Sequence, residues 1–161
     1  MAEVFEQVER QTQTPRVAFV LSGGAALGAS QVGMLRALLE RGITPDLIVG
    51  TSIGARNGLW LAAHPDLASL DKLERIWKSI TIFELFGGNV ISFVANRASK
   101  RPYLVSHEGM QRIFQRAAAI GDLGGITFEQ LAIPLKVTAS NLTRGVTEVF
   151  EHGPVAPAVL A

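Results

Sequence analysis

Gly50-Thr51-Ser52-Ile53-Gly54 has the composition of a turn that presents a nucleophile. The elbow glycines, Gly50 and Gly54, allow the chain to reverse tightly beside its neighbours, and such a turn pushes the serine out at the end of a strand. If a helix begins just after Ser52, its first N–H groups and its dipole favour the negative charge that develops in acyl transfer. A plainer reading fits the same residues: Gly50 and Gly54 permit a sharp strand-to-helix turn, and the Ser52 hydroxyl caps the helix. The pentapeptide alone does not choose between the two.

A second small-residue segment, Ser22-Gly23-Gly24-Ala25-Ala26-Leu27-Gly28, also joins an apolar run to a helical stripe. If the two strands are parallel neighbours, this loop lies beside Ser52 at one edge of the sheet. The N–H groups of Gly23, Gly24 and Ala25, with that of Ile53, could then form an oxyanion hole. A phosphate or dinucleotide loop is the competing reading. Against it, Ala25 stands where GxGxxG has its middle glycine, no Lys-Ser/Thr follows, and Asp46 precedes the next strand instead of ending it.

The elements that must hold these loops are legible. Val17 to Leu21 is a short apolar run, expected to be a strand buried on both faces. Val32, Leu35, Leu38 and Leu39 repeat at helical spacing, with Gly42 where a left-handed helix stop falls. Leu47, Ile48 and Val49 form a second strand, followed by a helix through Trp60 and Leu61 that ends before Pro65. Two strand–loop–helix units in succession imply parallel strands. The expected class is α/β, a three-layer α/β/α arrangement around a mostly parallel sheet.

Further on, Leu70, Leu73, Ile76 and Trp77 mark an amphipathic helix whose outer face carries Asp71, Lys72, Glu74 and Lys78. Ser106 can cap a helix bearing Met110, Ile113, Phe114 and Ala117, and Thr127 with Gln130 makes a capping box. Leu135 to Ala139 and Val146 to Phe150 alternate across a turn containing Asn141 and Gly145, which reads as a hairpin. The stretch from Phe83 to Val94 follows no single period; it reads as core, with a lid or membrane-contacting loop as the alternative.

Composition narrows the partners. The chain has 161 residues, 48% of them hydrophobic, and a net charge of +1 from 15 basic and 14 acidic groups, which gives no footprint for nucleic acid. It has no cysteine, which excludes disulfides, thiol nucleophiles and thiolate metal sites and suits the cytoplasm. No metal or other cofactor is expected. Residues 1–15 are polar and read as a flexible lead-in, leaving 16–161 as one domain or a large piece of one. No apolar run is long enough to span a bilayer, so any membrane contact is expected to be peripheral.

Taken together, VAFVLSGGAALGASQVGMLRALLERGITPDLIVGTSIGA resembles the opening of the patatin-like phospholipase family. IPLKVTASNLTRG, TEVFEHG and PVAPAVLA are similar to its succeeding segments, so the resemblance runs from about Arg16 to the carboxyl terminus. It implies a serine lipid acyl hydrolase acting on phospholipid or another fatty-acyl ester, with Ser52 as nucleophile, an oxyanion loop at Gly23, Gly24 and Ala25, and a serine–aspartate dyad without histidine. Two departures stand out. The family's frequent third glycine and arginine are here Ala25 and Leu27; alanine can still present its N–H if its φ is negative. The family's aspartate lies in a DGG or DGA triplet, and neither occurs in this sequence. Asp46, Asp66, Asp71 and Asp122 are weak substitutes, and His64, His107 and His152 read as surface or helix-end residues more than as triad members. The chain alone is therefore expected to be nearly inert. A non-catalytic or truncated lipid-binding module is the alternative, with an acyltransferase behind it because Thr51 stands where that class usually has histidine before its serine.

Overall fold

In the computed structural model, residues 16–80 and 107–160 are described. Their elements in chain order are β1 (Ala18–Leu21), α1 (Gly28–Leu39), β2 (Leu47–Thr51), α2 (Ile53–Ala63), α3 (Leu67–Ser79), α4 (His107–Ile120), β3 (Leu135–Asn141), β4 (Val146–Phe150) and α5 (Val155–Leu160), with short 3-10 turns at Ala25–Leu27 and Phe128–Gln130. The strands form one sheet in the order β1-β2-β3-β4. β1, β2 and β3 are parallel, with Phe19 opposite Ile48 and Ile48 opposite Leu135, while β4 returns antiparallel to β3 as the expected hairpin. The α/β class and the mostly parallel sheet agree with the sequence.

Local rules account for the helix ends. Gly42 takes φ 71, the left-handed conformation expected beyond α1. Asp66 caps α3 by accepting from the Ser69 N–H at 2.6 Å. Gln130 returns its side-chain oxygen to the Thr127 N–H at 2.9 Å, closing the capping box. The Ser106 cap and the Phe83–Val94 stretch lie outside the described residues.

One sheet face carries Phe19, Leu21, Ile48, Leu135 and Val137, all buried in a single core with Leu35, Leu59, Trp60, Leu70, Phe114 and Val155. α2 lies along this sheet, contacting β1, β2 and β3, and α1 and α3 pack against α2. The other face corrects the expectation for β1. Its residues alternate between exposed and buried, and Val20 is 74% exposed. Among the described residues the helical cover lies on the Phe19 side, so an apolar run that reads as buried twice over is buried once. The open face is partly polar, with Lys136 paired to Glu151 at 2.7 Å and the Thr51 and Thr138 hydroxyls 2.6 Å apart.

Candidate active site

β2 ends at Thr51 and α2 begins at Ile53, so the whole change of direction falls on Ser52. Ser52 has φ 53 and ψ −120, a backbone conformation rare for a residue with a Cβ and typical of stored local strain. It occupies the N-cap position of α2, yet its side chain makes no capping hydrogen bond. An N-cap serine ordinarily has extended φ/ψ and uses its oxygen on the first turn. The capping reading of Ser52 therefore fails: the residue is exposed and its hydroxyl is not engaged as a cap.

The glycines explain how the turn fits. A Cβ at Gly50 would come within 2.5 Å of the Ala55 Cα, and one at Gly54 would overlap the Leu21 carbonyl group. The start of α2 thus presses against the end of β1. A Cβ at Gly23 would lie 3.3 Å from the Ser52 Cβ, so the parallel pairing of β1 and β2 does bring the glycine loop beside the serine. Gly24 leads into the 3-10 turn at Ala25, and the first N–H groups of such a turn have no partner within it. Ala25 has φ 48, so the negative φ on which its part in the oxyanion hole depended is not found. The turn has to rise from extended backbone into α1 within three residues, and this left-handed position is where it does so.

Residues 31, 57 and 77 carry a second feature that sequence reasoning missed. Gln31 donates from Nε2 to the Ser22 carbonyl at 2.8 Å. Asn57 donates from Nδ2 to the Gly28 carbonyl and to Gln31 Oε1, both at 2.9 Å, and its Oδ1 accepts from Trp77 Nε1 at 3.0 Å. Asn57 is 1% exposed and Gln31 8%. The available signal was position: Gln31 stands four residues before Leu35 on the apolar stripe of α1, and Asn57 lies in a helix that is apolar almost all round.

The structure removes the acidic substitutes. Asp46 accepts from the Val17 N–H at 2.7 Å, at the start of β2, and five strand residues span about 16 Å. Asp66 is committed to capping α3, beyond the far end of α2, about 16 Å along that helix. Asp71 pairs with Arg36, and Asp122 lies in the turn after α4, beside His64 at the far end of α2. The histidines are no better placed. His64 Nε2 meets the Gly121 carbonyl at 2.7 Å, and exposed His152 pairs with Glu129 at 3.5 Å. The side chain of His107 is outside the described residues.

A parallel sheet whose second strand breaks at a strained serine, with a glycine loop laid beside it, defines the architectural class. A sequence profile of patatin-like phospholipases matches residues 19–161, and the chain belongs to that family of lipid hydrolases. It is 31% identical over 156 residues to an uncharacterized NTE family protein of Mycobacterium bovis, an overlap of 94% of this chain and 38% of that protein. A lysophospholipase of Chaetomium globosum is 41% identical over 66 residues, 41% of this chain and 4% of its own length. Patatin-like phospholipase domain-containing protein 7 of Mus musculus is 48% identical over 58 residues, 36% of this chain and 4% of its own. The chain thus spans well under half the length of these curated relatives. Among the described residues no helix is long and apolar enough to cross a membrane.

Proposed function

We propose that this chain supplies the nucleophile and oxyanion loop of a serine lipid acyl hydrolase. Ser52 Oγ attacks the ester carbonyl of a phospholipid or related fatty-acyl ester, its proton passes to a carboxylate base, the alcohol leaves, and water then releases the fatty acid from the acyl-enzyme. The N–H groups of Gly23 and Gly24, with that of Ile53, stabilise the tetrahedral oxyanion, while Ala25, whose φ is positive, is left out of the donor set. The observation that carries the reading is Ser52 itself: an exposed serine in a strained conformation, at a helix start it does not cap, with Gly23 against its Cβ.

None of the described aspartates stands at Ser52, so the base comes from a part of the full-length protein outside this chain. The substrate is taken at a lipid surface by peripheral contact, on the cytoplasmic side. Leu27 and Leu142, which follow the strands on either side of β2, are exposed apolar side chains beyond the carboxyl ends of those strands. The test is a fluorophosphonate probe with a short-chain p-nitrophenyl ester. The full-length protein is expected to label at Ser52 and turn over, the 161-residue chain to be nearly inert, and S52A to lose both reactions. Turnover surviving in full-length S52A overturns the proposal.

A further inference from the structure

We infer that Gln31 and Asn57 are positioning residues that hold the glycine loop in register with Ser52; the inference rests on the serine hydrolase reading above. The loop between β1 and α1 has a beginning and an end, and a buried carboxamide grips each. Gln31 holds the Ser22 carbonyl at the beginning, and Asn57 holds the carbonyl of Gly28, the first residue of α1, just past the end. The two carboxamides are bonded to each other at 2.9 Å, so both grips belong to one unit.

Asn57 sits on α2, the helix that starts at Ser52, a turn and a half further along. The loop is therefore referenced to the nucleophile's own helix, and not only to the strand it leaves. Trp77 of α3 fixes the carboxamide orientation by donating to Asn57 Oδ1, which commits Nδ2 to the loop side. The approach leaves no slack: a Cβ at Gly28 would overlap Ile53 and come within 2.9 Å of the Trp77 ring. Ser22 to Leu27 are otherwise exposed, and all the buried anchorage of this stretch falls at its two ends.

An oxyanion hole depends on donors placed where charge develops, and an error near 1 Å costs on the order of a hundredfold in rate. Tying the Ser22 carbonyl of the loop and the Gly28 carbonyl at the first residue of α1 to one buried pair fixes both ends of the peptide units between them. Loss of the tie should therefore act on the transition state more than on ground-state binding.

The experiment uses the full-length protein, with ester turnover and melting temperature measured for Q31M and Q31E. Methionine keeps the length of Gln31 but has no donor; Q31M is expected to lose about 10- to 100-fold in kcat with KM within about twofold. In Q31E the carboxylate cannot donate to Ser22 O, but the protonated acid can, while its second oxygen still accepts from Asn57. At a temperature where both proteins stay fully folded across the pH range, the Q31E to wild-type kcat ratio should accordingly rise as pH is lowered, which a change in folded fraction cannot produce. Wild-type kcat in folded Q31M, or an effect confined to KM, overturns the inference. If Q31M melts below the assay temperature, the Q31E ratio decides alone, and a ratio flat with pH overturns it. Activity retained in S52A defeats the serine reading instead, so the two failures are separable.

Discussion

Gly54 and Leu21 meet in a contact that admits no side chain at position 54: a Cβ there would run into the Leu21 carbonyl group. This is where the nucleophile's helix is seated against β1. Gly54→Ala is expected to destabilise the protein by about 3 kcal/mol, because backbone cannot yield as a side chain can. Gly33, on the exposed side of α1 with nothing near its would-be Cβ, gives the opposite sign: Gly33→Ala should stabilise by about 0.5–1 kcal/mol. Thermal or urea unfolding of the two variants checks the pair.

Ser52 separates stability from chemistry. At φ 53 the serine Cβ is a burden that glycine lacks, so Ser52→Gly should raise stability by about 1 kcal/mol relative to Ser52→Ala. Both variants lose the hydroxyl and should be silent to the fluorophosphonate probe. Equal melting temperatures for the two would show that the elbow is not strained.

Arg56 places a guanidinium in the first turn of α2, lining an apolar cavity of about 50 Å³ with Trp60, Trp77, Leu73, Ile76 and Phe114. Its Nε is buried with no hydrogen-bond partner among the described residues, and burial pulls its pKa below the ordinary arginine value. A cation near a helix N-terminus also opposes the helix dipole. Arg56→Met should therefore stabilise the fold by about 1–2 kcal/mol, measured by urea denaturation. A loss of similar size would mean that the guanidinium is held by more than the described contacts.

Glu129 supplies a pH dependence. Its carboxylate accepts from the Gly153 N–H at 3.0 Å, and this bond, with its own N–H and the Thr127 side chain, lowers its pKa from 4.5 to about 2. A depressed carboxyl stabilises the fold above its unfolded value and loses that contribution as pH falls through its folded value. The melting-temperature difference between wild type and Glu129→Gln should be full above about pH 5 and shrink between pH 4.5 and 2. A difference constant over that window would dissociate Glu129 from the Gly153 turn.

Features that depend on neighbours in sequence were legible before the fold was known. Gly42 stops α1, Gln130 closes its capping box, and Asn141 with Gly145 turns the hairpin, each for a reason contained within a few residues. The glycine loop and the serine were legible as a pair because parallel strands place their carboxyl ends at one edge. The burial of β1 was not, since Val17 to Leu21 is apolar throughout and no local pattern says how many faces are covered. Nor was the link from Gln31 to Asn57, which joins residues 26 apart through hydrogen bonds that exist only once α1 and α2 have packed. The positive φ of Ala25 belongs to the same group, because the geometry of the whole loop imposes it on a residue that does not favour it.

Asn57 is followed by Gly58, the sequence in which an asparagine side chain is most readily attacked by the next backbone nitrogen to give a succinimide. Within α2 the backbone is helical and the carboxamide is bonded on both sides, so the reaction has neither the conformation nor the freedom it needs. An unfolded chain has both. Ageing in the unfolded state would convert Asn57 to aspartate or isoaspartate, which cannot restore the donor to Gly28, and time spent unfolded becomes chemical damage that refolding does not reverse.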